Sequence, residues 1–89
     1  MGFVKNVLID AEMLTVVLDD GRVISVPLTW YPRLWHGTPE ERANFRLIGG
    51  GEGICWPDLD EDISVEDLLA GRRSGESEAS LRRWLRRRR

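Results

Sequence analysis

The sequence predicts an α+β fold, a small antiparallel sheet built from two hairpins with short helices and a basic C-terminal helix. Three observations carry that expectation. Leu14, Val16 and Leu18 alternate with Met13, Thr15 and Val17 at the period of a strand and run into Asp19-Asp20-Gly21, a tight-turn signature. Four glycines among the five residues 49–53 separate two further short apolar runs, Phe45 to Ile48 and Ile54-Cys55-Trp56. Thr38 and Ser64 each stand three residues ahead of an acid, Glu41 and Asp67, at the places where helices should begin.

The elements follow in order. Val7 to Ile9 is a short β-branched and apolar run. For the first hairpin, a two-residue Asp20-Gly21 turn would set Val16 opposite Ser25 and mix polar with apolar residues on one face. A three-residue loop with Gly21 left-handed sets Leu18 opposite Arg22, Val16 opposite Ile24 and Leu14 opposite Val26, and is the preferred register because it joins four apolar side chains. Pro27, unable to donate to a ladder, ends the second arm. Trp30 to His36, containing Pro32, reads as one irregular helical turn. Thr38 as N-cap, Pro39 at the first position and Glu41 closing a capping box begin a short helix that ends near Asn44. Phe45 to Ile48 and Ile54 to Trp56 form the second hairpin, followed by an acidic loop. Ser64 caps a helix over Val65 to Leu69, with Asp67 able to act back on the cap and Gly71 placed to terminate it. A last helix runs from about Glu78 to Trp84 or beyond, with Leu81, Trp84 and Leu85 on one narrow face, and the final four Arg should fray by mutual repulsion. Trp35 and Trp56 are expected in the core; Trp30 and Tyr31 are left unassigned.

With 89 residues there is room for one domain, expected over residues 1–71, and a basic helical tail over 72–89; the core should be thin and deep pockets absent. A hydrophobic content of 42% with four Trp is that of a folded chain. The lone Cys55 excludes an intramolecular disulfide, no leader opens the chain, and no apolar run approaches the ~20 residues that span a bilayer. A soluble, cytoplasmic protein with no membrane partner is therefore expected. The net charge of −2 conceals an asymmetry, because the eight Arg and two Glu of residues 72–89 carry +6 and leave −8 on residues 1–71. Such a chain can attract itself, pair head to tail with a copy, or offer its tail to an anionic partner.

Each candidate site has a plainer counterpart. Gly49 to Gly53 resembles a phosphate-binding loop only in composition: a short strand follows instead of a long helix, and no Lys is near, so a hairpin turn is expected. Asp58, Asp60 and Asp62 alternate like the first ligands of a calcium loop, but Ile63 and Leu69 occupy the positions that need Gly and a bidentate Glu, leaving a solvated acidic loop. His36 and Cys55 are single, so no zinc site assembles, and Cys55 inside a strand is expected to be a buried, inert thiol. Trp30, Tyr31, Trp35 and Trp56 could make an aromatic platform, but a small core needs their area. Arg72, Arg73, Arg82, Arg83, Arg86, Arg87, Arg88 and Arg89 are the strongest case for function, since guanidinium groups match phosphate geometry, but no helix-turn-helix pattern surrounds them and a solvated helical end whose Arg answer the acidic body or an acidic partner is the equal alternative.

The joint order of Leu14 to Leu18, Asp20-Gly21, Pro32-Arg33-Leu34, Phe45-Arg46-Leu47-Ile48, Gly53-Ile54-Cys55-Trp56-Pro57 and Asp62-Ile63-Ser64-Val65-Glu66-Asp67-Leu68 resembles a small bacterial family, domain of unknown function 2442. The resemblance extends to about Gly71. It implies an α+β domain with an antiparallel sheet, carried in longer members beside a C-terminal helix-turn-helix that this sequence does not show. It also implies a neighbouring small protein, an arrangement associated with toxin–antitoxin pairs, and no catalytic residue. Cys55 stands where a His is equally familiar in such sequences.

The expected function is a non-enzymatic protein-interaction module, the antitoxin-like member of a two-protein pair, with no catalytic, cofactor or metal site. The partner-binding residues are expected to be Arg72, Arg73, Leu81, Arg82, Arg83, Trp84 and Arg86, facing a small protein. The alternative is a nucleic-acid-binding repressor using the same Arg-rich helix, and a homo-oligomer is compatible with either.

Overall fold

The computed structural model describes residues 2–88. Two three-stranded antiparallel sheets, in the orders β1-β2-β3 and β4-β5-β6, and four short helices make an α+β domain. The first sheet holds β1 (Val4–Ile9), β2 (Met13–Leu18) and β3 (Val23–Pro27). The β2–β3 register pairs Leu14 with Val26 and Val16 with Ile24, as the apolar pattern predicts. Gly21, at φ +95°, lets the three-residue loop close, with Leu18 N donating to Arg22 O at 2.8 Å. β1 is longer than its apolar run because a bulge near Lys5 breaks the alternation, so that Val4 and Val7, three apart, both reach the core.

The second sheet contains β4 (Arg46–Ile48), β5 (Gly53–Trp56) and β6 (Glu61–Ser64). Here the sequence expectation is corrected: only residues 57–60 form the acidic turn, and Glu61–Ser64 is a third strand rather than loop. Nothing in its acidic composition favours a strand. Pairing supplies the reason, with Ile63 opposite Ile54 and Glu61 opposite Trp56. Each predicted hairpin thus gains a strand on one side.

Between the sheets run a 3₁₀ turn at Leu28–Trp30, α1 (Pro32–Trp35) and α2 (Pro39–Ala43). α2 has the full capping box: Glu41 N donates to Thr38 Oγ1 at 3.2 Å and Thr38 N to Glu41 Oε1 at 2.9 Å. α3 (Val65–Ala70) starts on Ser64, whose Oγ accepts from Asp67 N, and ends at Gly71, left-handed at φ +72°. The Asp67 carboxylate accepts from Arg72 at 2.8 Å and also reaches back to the Ser64 cap, as the sequence suggests, and the two contacts, Arg72 first, lower its carboxyl. α4 (Glu78–Arg87) is capped by Ser77.

One cluster joins the two sheets. Leu14, Val16 and Leu18 meet Ile54, Trp56 and Ile63, with Leu28, Leu34, Leu59 and Trp84 closing the ends. Trp56 is fully buried and its indole donates to Arg42 O at 3.0 Å. Trp35 departs from expectation and is 43% exposed, because in a four-residue helix Leu34 takes the inward position and its neighbour turns away. Tyr31 is buried and Trp30 half-buried.

The sheets also touch through backbone, where Val4 N donates to Gly51 O at 2.8 Å. Gly51 sits at φ +117°, and a Cβ there would lie 2.9 Å from Val4 N and 3.0 Å from Val4 O. Gly51→Ala is therefore expected to cost about 2–3 kcal/mol in a denaturant melt, from strain and a clash with backbone that cannot step aside. Gly50→Ala, also left-handed but facing open space, should cost about 1 kcal/mol. Equal losses would show that the two sheets do not approach at Gly51.

Candidate interaction surface on the C-terminal helix

The chain leaves α3 at Gly71 and reaches α4 through a linker tied to the body at two backbone points. Tyr31 Oη donates to Arg72 O at 3.0 Å, and Ser74 N donates to Trp30 O at 3.1 Å. Burial, then the charges of Asp67 and Glu61, raise the Tyr31 phenol, so it stays a donor. Arg72 pairs with Asp67 at 2.8 Å, and Arg73 lies over the Trp30 ring at 4.8 Å from its centroid.

α4 is held by a clasp with Trp84 at its centre. The Trp84 ring, 5% exposed, has the Arg33 guanidinium 5.2 Å and the Arg88 guanidinium 4.5 Å from its centroid. Both cations are anchored by carboxylates. Arg33 donates through Nε and Nη2 to Glu76, with side chains only 12% and 9% exposed, and through Nη1 to Asp60 O. Ser80 Oγ completes Glu76 at 2.8 Å, and these partners, Arg33 first, lower its carboxyl. Arg88 donates to both oxygens of Glu41, at 2.6 and 2.9 Å, which with the Thr38 cap holds that carboxyl down at about 2. Leu81 and Leu85 pack half-buried beside Trp84.

The opposite side of α4 is cationic. Arg82, Arg83, Arg86 and Arg87 are exposed and make no ion pair among the described residues. At 3.6 residues per turn they fall on one arc, away from Leu81, Trp84 and Leu85, and Arg83, Arg86 and Arg87 with Ser80 line a shallow concavity.

The expected site residues therefore divide. Arg82, Arg83 and Arg86 share the outward face with Arg87. Leu81 and Trp84 point into the body, correcting the expectation that they meet a partner, because the thin core takes their area. Arg72 is paired and Arg73 is stacked. The predicted fraying is corrected at Arg88, which Glu41 holds; Arg89 lies outside the described residues. No spacing in the sequence indicates that Arg33, Glu41 and Glu76 build the clasp, since Arg33 and Glu76 are 43 residues apart and Glu41 and Arg88 are 47 apart.

The remaining candidates take their plainer forms. Residues 49–52 make a hairpin turn with Gly49, Gly50 and Gly51 left-handed. Asp58 accepts from Asn44, and among the described residues no three His, Cys, Asp or Glu side chains are grouped to hold a metal ion. His36 is exposed at the end of α1. Cys55 is half-buried on the outer face of the second sheet, not in the core, because β5 turns Ile54 and Trp56 inward. The Asp62 carboxylate beside it raises the thiol, the reverse of activation.

Glu61 is the one acid among the described residues whose carboxyl is pushed upward. It faces Trp56 across the sheet, and burial, outweighing the attraction of Arg33, pushes it up to about 7. Between the ordinary 4.5 and about 7, the folded chain holds a proton that the unfolded chain has released, so this residue lowers stability as pH rises through that window. With allowance for its partial exposure, Glu61→Gln should raise stability at pH 8 by on the order of 1–2 kcal/mol and change nothing near pH 4. A pH-independent gain would refute this titration.

Beside β1, an apolar groove of about 470 Å³ is lined by Val7, Ile9, Pro39, Ala43 and Phe45. β4, the edge strand beyond Phe45, exposes Leu47 at 44% and Ile48 at 43%.

A family model described as a protein of unknown function, DUF2442, matches residues 4–74. The chain belongs to this family. The match stops at residue 74, so α4 and its Arg face lie beyond the family's matched residues. The fold of this chain also appears in two solved structures. A protein of unknown function from Rhodospirillum rubrum is 22% identical with a TM-score of 0.72, covering 89% of this chain and 95% of that one. An uncharacterized protein from Chromobacterium violaceum is 22% identical with a TM-score of 0.69, covering 91% and 74%. Both likenesses concern the fold. No curated protein matches the chain. Among the described residues of this DUF2442 member, no helix is long and apolar enough to cross a membrane.

Proposed function

We propose that this DUF2442 chain is a non-enzymatic interaction module whose working surface is the outward face of α4. One observation carries the reading: although residues 1–71 bear a net −8, four Arg on this face make no ion pair among the described residues, while Trp84 of the same helix is buried and Leu81 and Leu85 pack half-buried beside it. A body with acids to spare has turned these cations outward, toward an anionic partner. The half-buried Cys55, whose thiol the Asp62 carboxylate raises, supports a binding role over catalysis.

The test is co-purification from cells at low salt with a tag at Met1, comparing the native chain with a variant carrying Gln at positions 82, 83, 86 and 87. Partners lost from the variant support the reading. Partners equally retained would sink it.

A second reading, the antitoxin-like member of a two-protein pair, is favoured by the uncovered β4 edge with Leu47 and Ile48 beside the apolar groove. A small protein recovered at equal stoichiometry and lost on Leu47→Asp, but indifferent to the Arg substitutions, would support it. Recovery unaffected by Leu47→Asp would remove it.

A further inference from the structure

We infer that the outward face of α4 binds the phosphate backbone of double-stranded nucleic acid, with the Arg82–Arg86 and Arg83–Arg87 pairs each reaching successive phosphates. This rests on the docking reading above and names the chemistry of its partner. Residues four apart on a helix lie about 5–6 Å from each other, so the two pairs make parallel cationic rows that repeat along the axis. A repeating polyanion answers such rows better than a single carboxylate does. Arg, whose planar fork meets phosphate oxygens two at a time, occupies all four positions.

An acidic protein fits less well. Protein interfaces are organised around desolvated apolar or aromatic anchors, with charge depleted at the centre. The aromatic and Leu side chains of α4 all point the other way, and Ala79 is the largest apolar residue left outside. The rows span an arc of roughly 140°, since Arg82 and Arg87 are five residues apart, and an arc that wide faces both phosphate walls of a groove.

The clasp serves the same end. Because Arg33–Glu76 and Arg88–Glu41 fix α4 against the body, the Arg face is preformed and no helix has to order on binding. The net −8 of residues 1–71 meanwhile disfavours a polyanion on the body and so favours approach to this face.

The experiment is fluorescence anisotropy of a labelled ~20-base-pair duplex, as DNA and as RNA, titrated with the full chain at several salt concentrations. Four phosphate contacts predict a log–log salt slope of about −3.6, or about a hundredfold loss of affinity between about 50 and about 200 mM salt. The quadruple Arg→Gln variant should lose binding with its melting temperature unchanged, and the quadruple Arg→Lys variant should keep the slope. A Gln variant that binds as tightly, or a slope near zero, overturns the inference. Polyglutamate of equal charge competing as well as the duplex overturns the nucleic-acid class and leaves the docking face standing. If the native chain binds neither polymer and its co-purifying partners survive the Gln substitutions, both readings fall.

Discussion

Replacing Trp84 with alanine is expected to destabilise the docked C-terminal helix by about 3–5 kcal/mol, the range for removing a large buried aromatic side chain. The ring is nearly inaccessible and is flanked by two guanidinium groups, so truncation removes apolar burial and both cation–π contacts together. For a domain of this size, whose total stability is about 5–13 kcal/mol, the loss is a large share. The form of the loss is specific. α4 has only ten residues and packs on the body through Trp84, and a helix that short does not persist alone in water. Freed of Trp84, it should detach and unfold locally before the sheets do, which caps the global loss at the free energy of docking. Circular dichroism should show helix lost at temperatures where the sheets remain, and amides of residues 78–87 should exchange freely. Retention of both helix signal and protection in Trp84→Ala would mean that the clasp does not depend on this side chain.

The second large effect belongs to Arg33. Arg33→Ala should cost about 3 kcal/mol, because it leaves Glu76 largely desolvated with no cation and strips one face of Trp84. Glu76→Gln should be milder, since the amide oxygen still accepts from Arg33 and Ser80. The pH dependence follows from Glu76, whose carboxyl is lowered below 4.5 by Arg33. That stabilisation is complete above the unfolded value and disappears as pH falls through the folded one, opposite in sense to Glu61. Urea melts of Arg33→Ala and the native chain should therefore converge in acid. A difference that stays constant from pH 7 into strong acid would assign the loss to packing alone.

The local code was legible where chemistry and period agree. The β2–β3 register followed from placing Leu14, Val16, Ile24 and Val26 on one face, and the α2 capping box from Thr38, Pro39 and Glu41. Gly71 announced the end of α3 through the left-handed turn that only glycine adopts freely. β6 was not legible, because Glu61 and Asp62 have no strand preference and the ladder to β5 makes the strand. The start of β1 was hidden by its bulge, which puts Val4 and Val7 on one side at a spacing no strand period contains. Of the candidate site, the cationic helix and its narrow apolar face were visible, but the apolar face was assigned to a partner when the core claims it.

The sequence by itself determined the α+β class, both hairpins, the Thr38 and Ser64 caps and a terminal helix with Leu81, Trp84 and Leu85 on one narrow face, because each depends on neighbours within a few positions. Only the tertiary structure decided which side of that helix is free. Arg33, Glu41 and Glu76 are brought to Trp84 and Arg88 by the fold of the whole chain, and burying an indole between two paired cations leaves Arg82, Arg83, Arg86 and Arg87 as the face turned to solvent.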